Sequence, residues 1–218
     1  MTTIGIIGAG NQGSGIARRA IQIGLTVVMA NSRGPESLTG VIADLGEHAS
    51  AATVEEASMA GDIVFVSVPI VPAYALLPAE ALAGRIVVDT GNYYPEWYGR
   101  IVALDNGATT TAEILQVALP DSFVVKAFNS IGAVALADEA QPTGSHNRRA
   151  LPLAGDDDDA RQRVAELIDA FGFDPVDVGP LTQGFRFDRA QPAYGVRLTT
   201  PQLKEALAAA EHPSPTEF

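Results

Sequence analysis

The 218-residue sequence contains no cysteine and only three histidines. Without a thiol, the chain can form no disulfide, no thiolate metal site and no cysteine nucleophile. The three histidines, His48, His146 and His212, are scattered along the sequence and lack the spacing of a metal-binding pair such as H-x-x-x-H. We therefore expect no metal site, and the absence of cysteine fits a reducing compartment.

Basic residues and long apolar runs are also scarce. Lys and Arg number 14 against 26 Asp and Glu, which gives a formal net charge of -12 and disfavours binding to nucleic acid or to an anionic membrane surface. No apolar run approaches the ~18 residues of a membrane span, and no basic stretch with a cleavage site marks a signal peptide. We expect a cytoplasmic protein without nucleic-acid or membrane partners.

The chain does contain a regular alternation of short β-branched runs and amphipathic stretches. Strands are predicted at residues 3–8, 26–30, 63–68, 85–89, 123–127, 151–154 and 175–178. Helices are predicted at residues 11–24, 37–45, 72–82, 112–119, 160–171 and 201–210. Nearly continuous apolar strands between helices indicate an α/β protein with a Rossmann-type, doubly wound and mostly parallel sheet.

The alternation ends near residue 180, and the remaining stretch is turn-rich and aromatic. We predict a Rossmann domain over residues 1–180 and a short C-terminal extension over residues 181–218. The extension is too apolar to stay unpacked, so we expect it to pack on the core or to complete a homodimer.

A glycine-rich loop directly follows the first predicted strand. Its sequence is G-x-G-x-x-G and comprises Gly8, Ala9, Gly10, Asn11, Gln12 and Gly13. The first glycine permits a tight turn, the second lets backbone N–H groups approach a pyrophosphate, and the third lets helix and strand pack closely. The alternative is a tight strand-to-helix turn without a ligand. Between a strand and a helix, however, the motif predicts a dinucleotide cofactor.

The residues after the second strand select the dinucleotide. NAD-binding folds usually place Asp or Glu there, where the carboxylate accepts from the ribose 2′-OH. This chain instead has Asn31, Ser32 and Arg33. A hydroxyl and a guanidinium suit a 2′-phosphate, although a polar turn is the simpler alternative. We predict NADP as the cofactor.

Further site residues are expected where other strands end, because open α/β sheets bind ligands at the carboxyl edge. Pro69 and Ile70 are candidates for an apolar face against a nicotinamide ring, with strand termination as the alternative for Pro69. Lys126 is a candidate to orient an anionic acceptor or donate a proton; the alternative is a lysine that extends to solvent. Asn129 is a candidate to bind the nicotinamide amide. The alternative is that Asn129 is only a turn residue after a strand. Neighbouring candidates are Ser67, Val68, Asn92 and Ala127.

Two further clusters have competing interpretations. The aromatic run at residues 93–98 either walls an acceptor pocket or packs as a loop. The four aspartates at residues 156–159 resemble a metal cluster, but acidic residues are also favoured in the first turn of a helix, and we predict that capping role.

Five stretches together resemble one known family. They are GIIGAGNQGSG, NSRGPESL, IVVDTGNYY, VVKAFNSIGA and LAGDDDDARQRVAELIDAFGFDPVDVGPL. In them the chain is similar to NADP oxidoreductases dependent on the deazaflavin coenzyme F420. The resemblance implies reversible hydride exchange between NADP and deazaflavin, with the 2′-phosphate on Ser32 and Arg33. Family members that use deazaflavin tend to have a hydroxyl residue and a His where this chain has Ala9 and Asn129.

These observations predict an NADP(H)-dependent oxidoreductase that exchanges hydride with a small-molecule, ring-shaped acceptor. Deazaflavin is the first candidate, and a flavin or quinone-like compound is the second. The alternative from another class is an NADPH-binding sensor without catalysis, since a Rossmann fold alone does not establish an enzyme.

Overall fold

A computed structural model of the protein describes residues 2–70 and 73–212. Within these residues the strands are β1 Thr3–Ile7, β2 Thr26–Ala30, β3 Ala49–Ala51, β4 Ile63–Val66, β5 Ile86–Asp89, β6 Phe123–Ala127, β7 Ala150–Gly155 and β8 Asp174–Asp177. The α-helices are α1 Asn11–Gln22, α2 Thr39–Leu45, α3 Val54–Met59, α4 Ala79–Leu82, α5 Pro95–Tyr98, α6 Val102–Asp105, α7 Thr111–Ala118, α8 Ala133–Asp138, α9 Asp158–Ala170 and α10 Thr200–Ala208.

The strands form one sheet in the order β3-β2-β1-β4-β5-β6-β7-β8. All neighbouring strands run parallel except β6 and β7, which pair antiparallel through Val125 and Gly155 at one end and Ala127 and Leu153 at the other. The predicted Rossmann-type, mostly parallel sheet is thus confirmed. The order reverses between β1 and β4, which is where open α/β sheets bind ligands.

The core lies on both faces of the sheet. One buried cluster joins α1 and α9 to strand residues such as Ile6, Phe65 and Val125, and a second joins α7 to Val64, Val87 and Val124. This burial on both faces explains why the strands read as apolar runs rather than as alternating patterns.

Side-chain caps determine where several helices begin. Thr53 and Thr110 each form a reciprocal capping box with a glutamate three residues later. The Asp157 side chain accepts from the Ala160 N–H at 2.8 Å and caps α9. The aspartates at residues 156–159 therefore include the predicted helix cap.

Several short elements of the described residues were not predicted, namely β3, α3, α5, α6 and α8. They are between three and six residues long, too short for a clear period in the sequence. The predicted helix at residues 72–82 was wrong, because a 3₁₀ turn at Tyr74–Leu76 and the short α4 replace it, with Pro78 between them. Pro72 itself lies outside the described residues.

The C-terminal extension packs against β7 and β8, beyond the antiparallel pairing of β6 with β7. Its buried residues Phe187, Ala193, Leu203 and Leu207 form a third cluster with β7 and β8 residues Ala150, Ala154 and Val176. A 3₁₀ helix at Leu181–Phe187 leads into this cluster. The extension therefore reaches the carboxyl end of β6, where the candidate site begins.

Candidate functional site

Steric contacts require glycine at two positions of the loop at residues 8–13. Gly8 has φ +113°, and a Cβ there would lie 2.2 Å from the Ser67 carbonyl oxygen. A Cβ on Gly13 would lie 1.9 Å from the Gly8 carbonyl oxygen. A Cβ on Gly10 would meet no atom within 4 Å. Packing thus explains Gly8 and Gly13, whereas it does not explain Gly10.

The loop leads into α1, whose N-terminal end has no acidic residue in its first turn. Free N–H groups and the helix dipole make this end favourable for phosphate. The Gln12 side chain points elsewhere: it donates to the carbonyl oxygens of Phe128 at 2.8 Å and Ile131 at 3.1 Å. Gln12 therefore fixes the segment after β6 against the glycine loop.

The turn after β2 is held by its own side chains. Asn31 Oδ1 accepts from the Arg33 backbone N–H at 2.9 Å, and Asn31 Nδ2 donates to Ser37 Oγ at 2.9 Å. The side chains of Ser32 and Arg33 are exposed. Because β1 and β2 pair in parallel up to Ile7 and Ala30, this turn lies beside the glycine loop. Asn31 thus orders the turn, and the other two side chains extend into solvent.

The residues after β4 divide between surface and core. Ser67 Oγ lies 2.7 Å from Thr90 Oγ1, which joins the ends of β4 and β5. Pro69 is exposed and Val68 is half-buried. Ile70 is only 1% exposed and packs in the second core cluster. The prediction that Ile70 faces a nicotinamide was wrong, since its side chain is turned into the core.

Asn92 and Asn129, here called the amide pair, are hydrogen-bonded to each other. Asn129 Nδ2 donates to Asn92 Oδ1 at 3.2 Å and to the Phe187 carbonyl oxygen at 3.0 Å. Asn92 Nδ2 donates to the Asn129 carbonyl oxygen at 3.0 Å. Asn129 follows Phe128, a non-glycine residue with φ +61°. The strained backbone and these bonds hold Asn129 in one orientation.

That orientation leaves Asn129 Oδ1 buried and without a hydrogen-bond partner among the described residues. An unpaired buried acceptor is costly, so this atom lacks a donor that the described residues do not supply. No comparable signal exists in the sequence, because the orientation depends on Phe187, 58 residues further along the chain.

Lys126 is completely buried and does not reach solvent. Its Nζ donates to the Gly91 carbonyl oxygen and to Thr111 Oγ1, both at 2.8 Å, and to Asp89 Oδ2 at 3.4 Å. Asp188 Oδ1 lies 3.3 Å away. Burial opposes the charge, but the two carboxylates outweigh it and keep the pKa of Lys126 above its usual value. The neighbouring Ala127 is also buried.

An aromatic wall of Tyr94, Trp97 and Tyr194 lies beside the amide pair. Tyr94 and Trp97 stack with ring centroids 4.4 Å apart. The hydroxyls of Tyr94 and Tyr194 are 2.7 Å apart. Arg189 packs over the Tyr94 ring and forms two 2.7 Å hydrogen bonds with Glu96. Arg189 and Glu96 thus hold the Tyr94 ring in place, while Trp97 remains 72% exposed.

A groove of about 1160 Å³ brings these parts together. Its lining includes the predicted residues Ala9, Gly10, Asn11, Gln12, Asn92 and Asn129, and the aromatic wall. It also includes residues that the sequence did not indicate, chiefly Thr90, residues 130–134 and Gly195. Gly8, Gly13, Asn31, Ser32, Arg33, Ser67, Val68, Pro69, Lys126 and Ala127 are not part of this lining.

The groove fits a pyridine dinucleotide in its chemistry. Its lining includes the open Gly10 and the start of α1, which suit phosphates, and Asn129, whose unpaired Oδ1 suits an amide N–H. In the described part of the chain, no group of three or more His, Asp or Glu side chains is placed to hold a metal ion. Nor is any helix there long and apolar enough to cross a membrane.

The fold and the glycine loop define a Rossmann-type α/β protein. Comparison with known sequences then identifies the family: residues 3–93 match the model described as NADP oxidoreductase, coenzyme F420-dependent. The chain belongs to this family of NADP-dependent oxidoreductases, as its sequence motifs predicted.

Solved structures show the same fold. A hypothetical protein from Sinorhizobium meliloti is 36% identical, with a TM-score of 0.78 over 92% of this chain and 96% of that one. A candidate F420-dependent NADP reductase from Arthrobacter sp. FB24 is 23% identical, with a TM-score of 0.72 over 84% of this chain and 87% of that one.

Among curated proteins, the chain is similar to the metalloreductase STEAP3 of Rattus norvegicus. The two are 35% identical over 179 residues, which cover 82% of this chain and 34% of the relative. This chain thus spans about a third of the length of the curated relatives it matches.

Proposed function

We propose that the groove binds NADP(H) and that the protein exchanges hydride between this cofactor and a flat, ring-shaped acceptor. The observation that carries the proposal is the placement of the glycine loop and the aromatic wall on one groove of about 1160 Å³. Ligand pockets usually measure ~300–1,000 Å³, so this groove is as large as a large ligand site.

Each part of the site has a role in this proposal. The glycine loop and the start of α1 bind the pyrophosphate, and Ser32 and Arg33 bind the 2′-phosphate from the adjacent turn. Asn129 Oδ1 accepts from the carboxamide and sets the angle of the nicotinamide ring. When bound, NADPH supplies a hydride from its C4 atom.

The charges of the groove agree with hydride transfer. Among the described residues that line it, only Arg18 and Asp138 carry a formal charge. Transfer of hydride between two bound rings depends on close positioning and exclusion of water more than on a protein acid or base. The aromatic wall supplies a surface on which an acceptor ring can stack.

The deazaflavin coenzyme F420 is the first candidate acceptor, because the family model carries that description. A flavin or quinone-like compound is the second candidate. A ferric chelate also belongs in the comparison, as a one-electron acceptor of which two are reduced per NADPH, since the matched STEAP relatives are named metalloreductases.

The test is turnover of NADPH with each of these acceptors, followed by isotope tracing with NADPH deuterated at C4. Hydride that arrives at a carbon of deazaflavin is retained, so we expect the label in the reduced deazaflavin. With deazaflavin as the acceptor, label found only in water would contradict direct transfer. Tight NADPH binding without turnover of any acceptor would instead support a sensor.

A further inference from the structure

The buried Lys126 ammonium contacts two chain segments that meet at the amide pair. It donates to the carbonyl oxygen of Gly91, the residue before Asn92. It also forms an ion pair with Asp188, the residue after Phe187. Asn92 and Phe187 supply the two acceptors for Asn129 Nδ2. One ammonium group thus fixes the chain next to both hydrogen bonds that orient Asn129.

We propose that Lys126 and Asp188 are positioning residues for the nicotinamide. They hold the 91–92 and 187–188 segments so that Asn129 presents its unpaired Oδ1 to the carboxamide of the cofactor. Lys126 itself touches neither cofactor nor acceptor in this role. The inference rests on the proposed binding of NADP(H).

The charges argue for positioning rather than for stability. A buried ion pair adds little net stability compared with apolar side chains of the same size, because desolvation offsets the attraction. Here one buried ammonium faces two carboxylates, and Asp188 Oδ1 receives no hydrogen bond in the described structure. Such an arrangement adds little stability to a core, but it fixes the 91–92 and 187–188 segments to one cation.

The test compares two ligands that differ only at the nicotinamide. Dissociation constants are measured by calorimetry for NADPH and for 2′-phospho-ADP-ribose, which has the same phosphates and adenosine but no nicotinamide. Asp188→Asn retains the Lys126–Asp89 pair and the shape of the side chain. We expect it to weaken NADPH binding about 3- to 10-fold, the worth of one hydrogen bond, and to leave 2′-phospho-ADP-ribose unchanged.

Lys126→Met should also weaken NADPH binding selectively. The loss of affinity should be larger than for Asp188→Asn, because this substitution releases both the 91–92 and the 187–188 segments. Lys204→Met on the exposed face of α10 is the matched control and should change neither constant. Should Lys126→Met fail to fold, Asp188→Asn and Asn129→Ala carry the test, with melting temperatures recorded for each variant.

A double-mutant cycle separates positioning from general damage. Once Asn129→Ala has removed the contact, adding Asp188→Asn should cause no further loss of NADPH affinity. Equal weakening of both ligands, or additive effects in the cycle, would overturn the inference while leaving the proposed function intact. Failure of the unmodified protein to bind either ligand would contradict the proposed function itself, and the inference with it.

Discussion

At the scale of single residues, the glycine loop separates packing from ligand binding. Gly8 and Gly13 have no room for a Cβ, whereas Gly10 has open space around the position of one. Gly10 also has φ -76°, a value that any residue adopts. A substitution at Gly10 should therefore affect a ligand without affecting the fold.

Gly10→Ala tests this separation. We expect an unchanged melting temperature and a roughly tenfold or greater loss of NADPH affinity, because the methyl group occupies the space in which the pyrophosphate approaches the backbone. Gly40→Ala in α2, where a Cβ also meets no atom within 4 Å, is the control and should not affect binding. A large fall in the melting temperature of Gly10→Ala would contradict the prediction.

Arg33 tests the choice of cofactor. We expect NADPH to bind more tightly than NADH. Arg33→Ala should reduce the ratio of the two affinities about tenfold or more by weakening NADPH binding alone, because the guanidinium meets only the 2′-phosphate. Arg163→Ala serves as control, since Arg163 pairs with Asp62 just before β4, at the amino-terminal ends of the strands, whereas Arg33 follows the carboxyl end of β2. Calorimetry that gave equal affinities for NADPH and NADH in the unmodified protein would refute the predicted preference for NADPH.

At the scale of structural elements, α5 supplies Trp97 of the aromatic wall, and this residue should affect how the acceptor binds. Trp97→Ala removes the exposed ring that stacks on Tyr94. We expect the KM for the acceptor to rise about 2- to 10-fold, which corresponds to the binding free energy of one aromatic contact. The Kd for NADPH should stay within about twofold. Val102→Ala, exposed and outside the groove lining, is the control. An unchanged KM would exclude Trp97 from acceptor binding.

The contact between the end of α9 and β8 gives a pH-dependent prediction. Arg148 is buried and donates to Asp169 Oδ1 at 2.5 Å and to Asp174 Oδ1 at 2.9 Å. The hydrogen bond from Arg148 holds the pKa of Asp169 below its ordinary value. A lowered carboxyl pKa contributes stability above the pKa of the unfolded chain and loses it as the pH falls through the folded one.

Asp169→Asn should consequently lower the melting temperature near pH 7, and the difference from the unmodified protein should shrink as the pH falls below about 4. Asp169 is 43% exposed, so solvent screening keeps the effect small. Thermal denaturation across this pH range measures it. A difference that stays constant with pH would show that the charge of Asp169 contributes nothing.

At the scale of the whole molecule, the C-terminal extension joins the core to the site. Leu203 and Leu207 of α10 pack on β7 and β8, and Phe187 and Asp188 reach Asn129 and Lys126. We expect Leu203→Ala to cost about 2–5 kcal/mol of unfolding free energy, as for other buried leucines. Lys204→Ala, on the exposed side of the same helix, should stay within about 0.5 kcal/mol. Denaturant unfolding that showed equal effects would contradict packing of α10 on the sheet.

The homodimer stays a prediction, and light scattering of the purified protein tests it. Several large apolar side chains are strongly exposed, including Leu76 at 82% and Val117 at 83%. Isolated exposed apolar residues are normal on protein surfaces, so they do not by themselves define an interface.

The sequence alone determined the features that depend on short stretches. G-x-G-x-x-G after a β-branched run specifies the strand, the turn and the helix that comes next, because steric limits act between near neighbours. Apolar runs separated by amphipathic stretches likewise specified the parallel sheet. The turn at Asn31, Ser32 and Arg33 was also found from its position relative to the glycines.

Only the tertiary structure decided which distant residues meet. The antiparallel pairing of β7, the burial of Ile70 and the contact between Asn129 and Phe187 depend on segments far apart in sequence. Lys126 appeared in the sequence as a polar residue at the end of a strand, and its surroundings were set by Asp89, Thr111 and Asp188. A side chain's chemistry in a folded protein depends on its burial and on its charged neighbours, and packing between elements determines both.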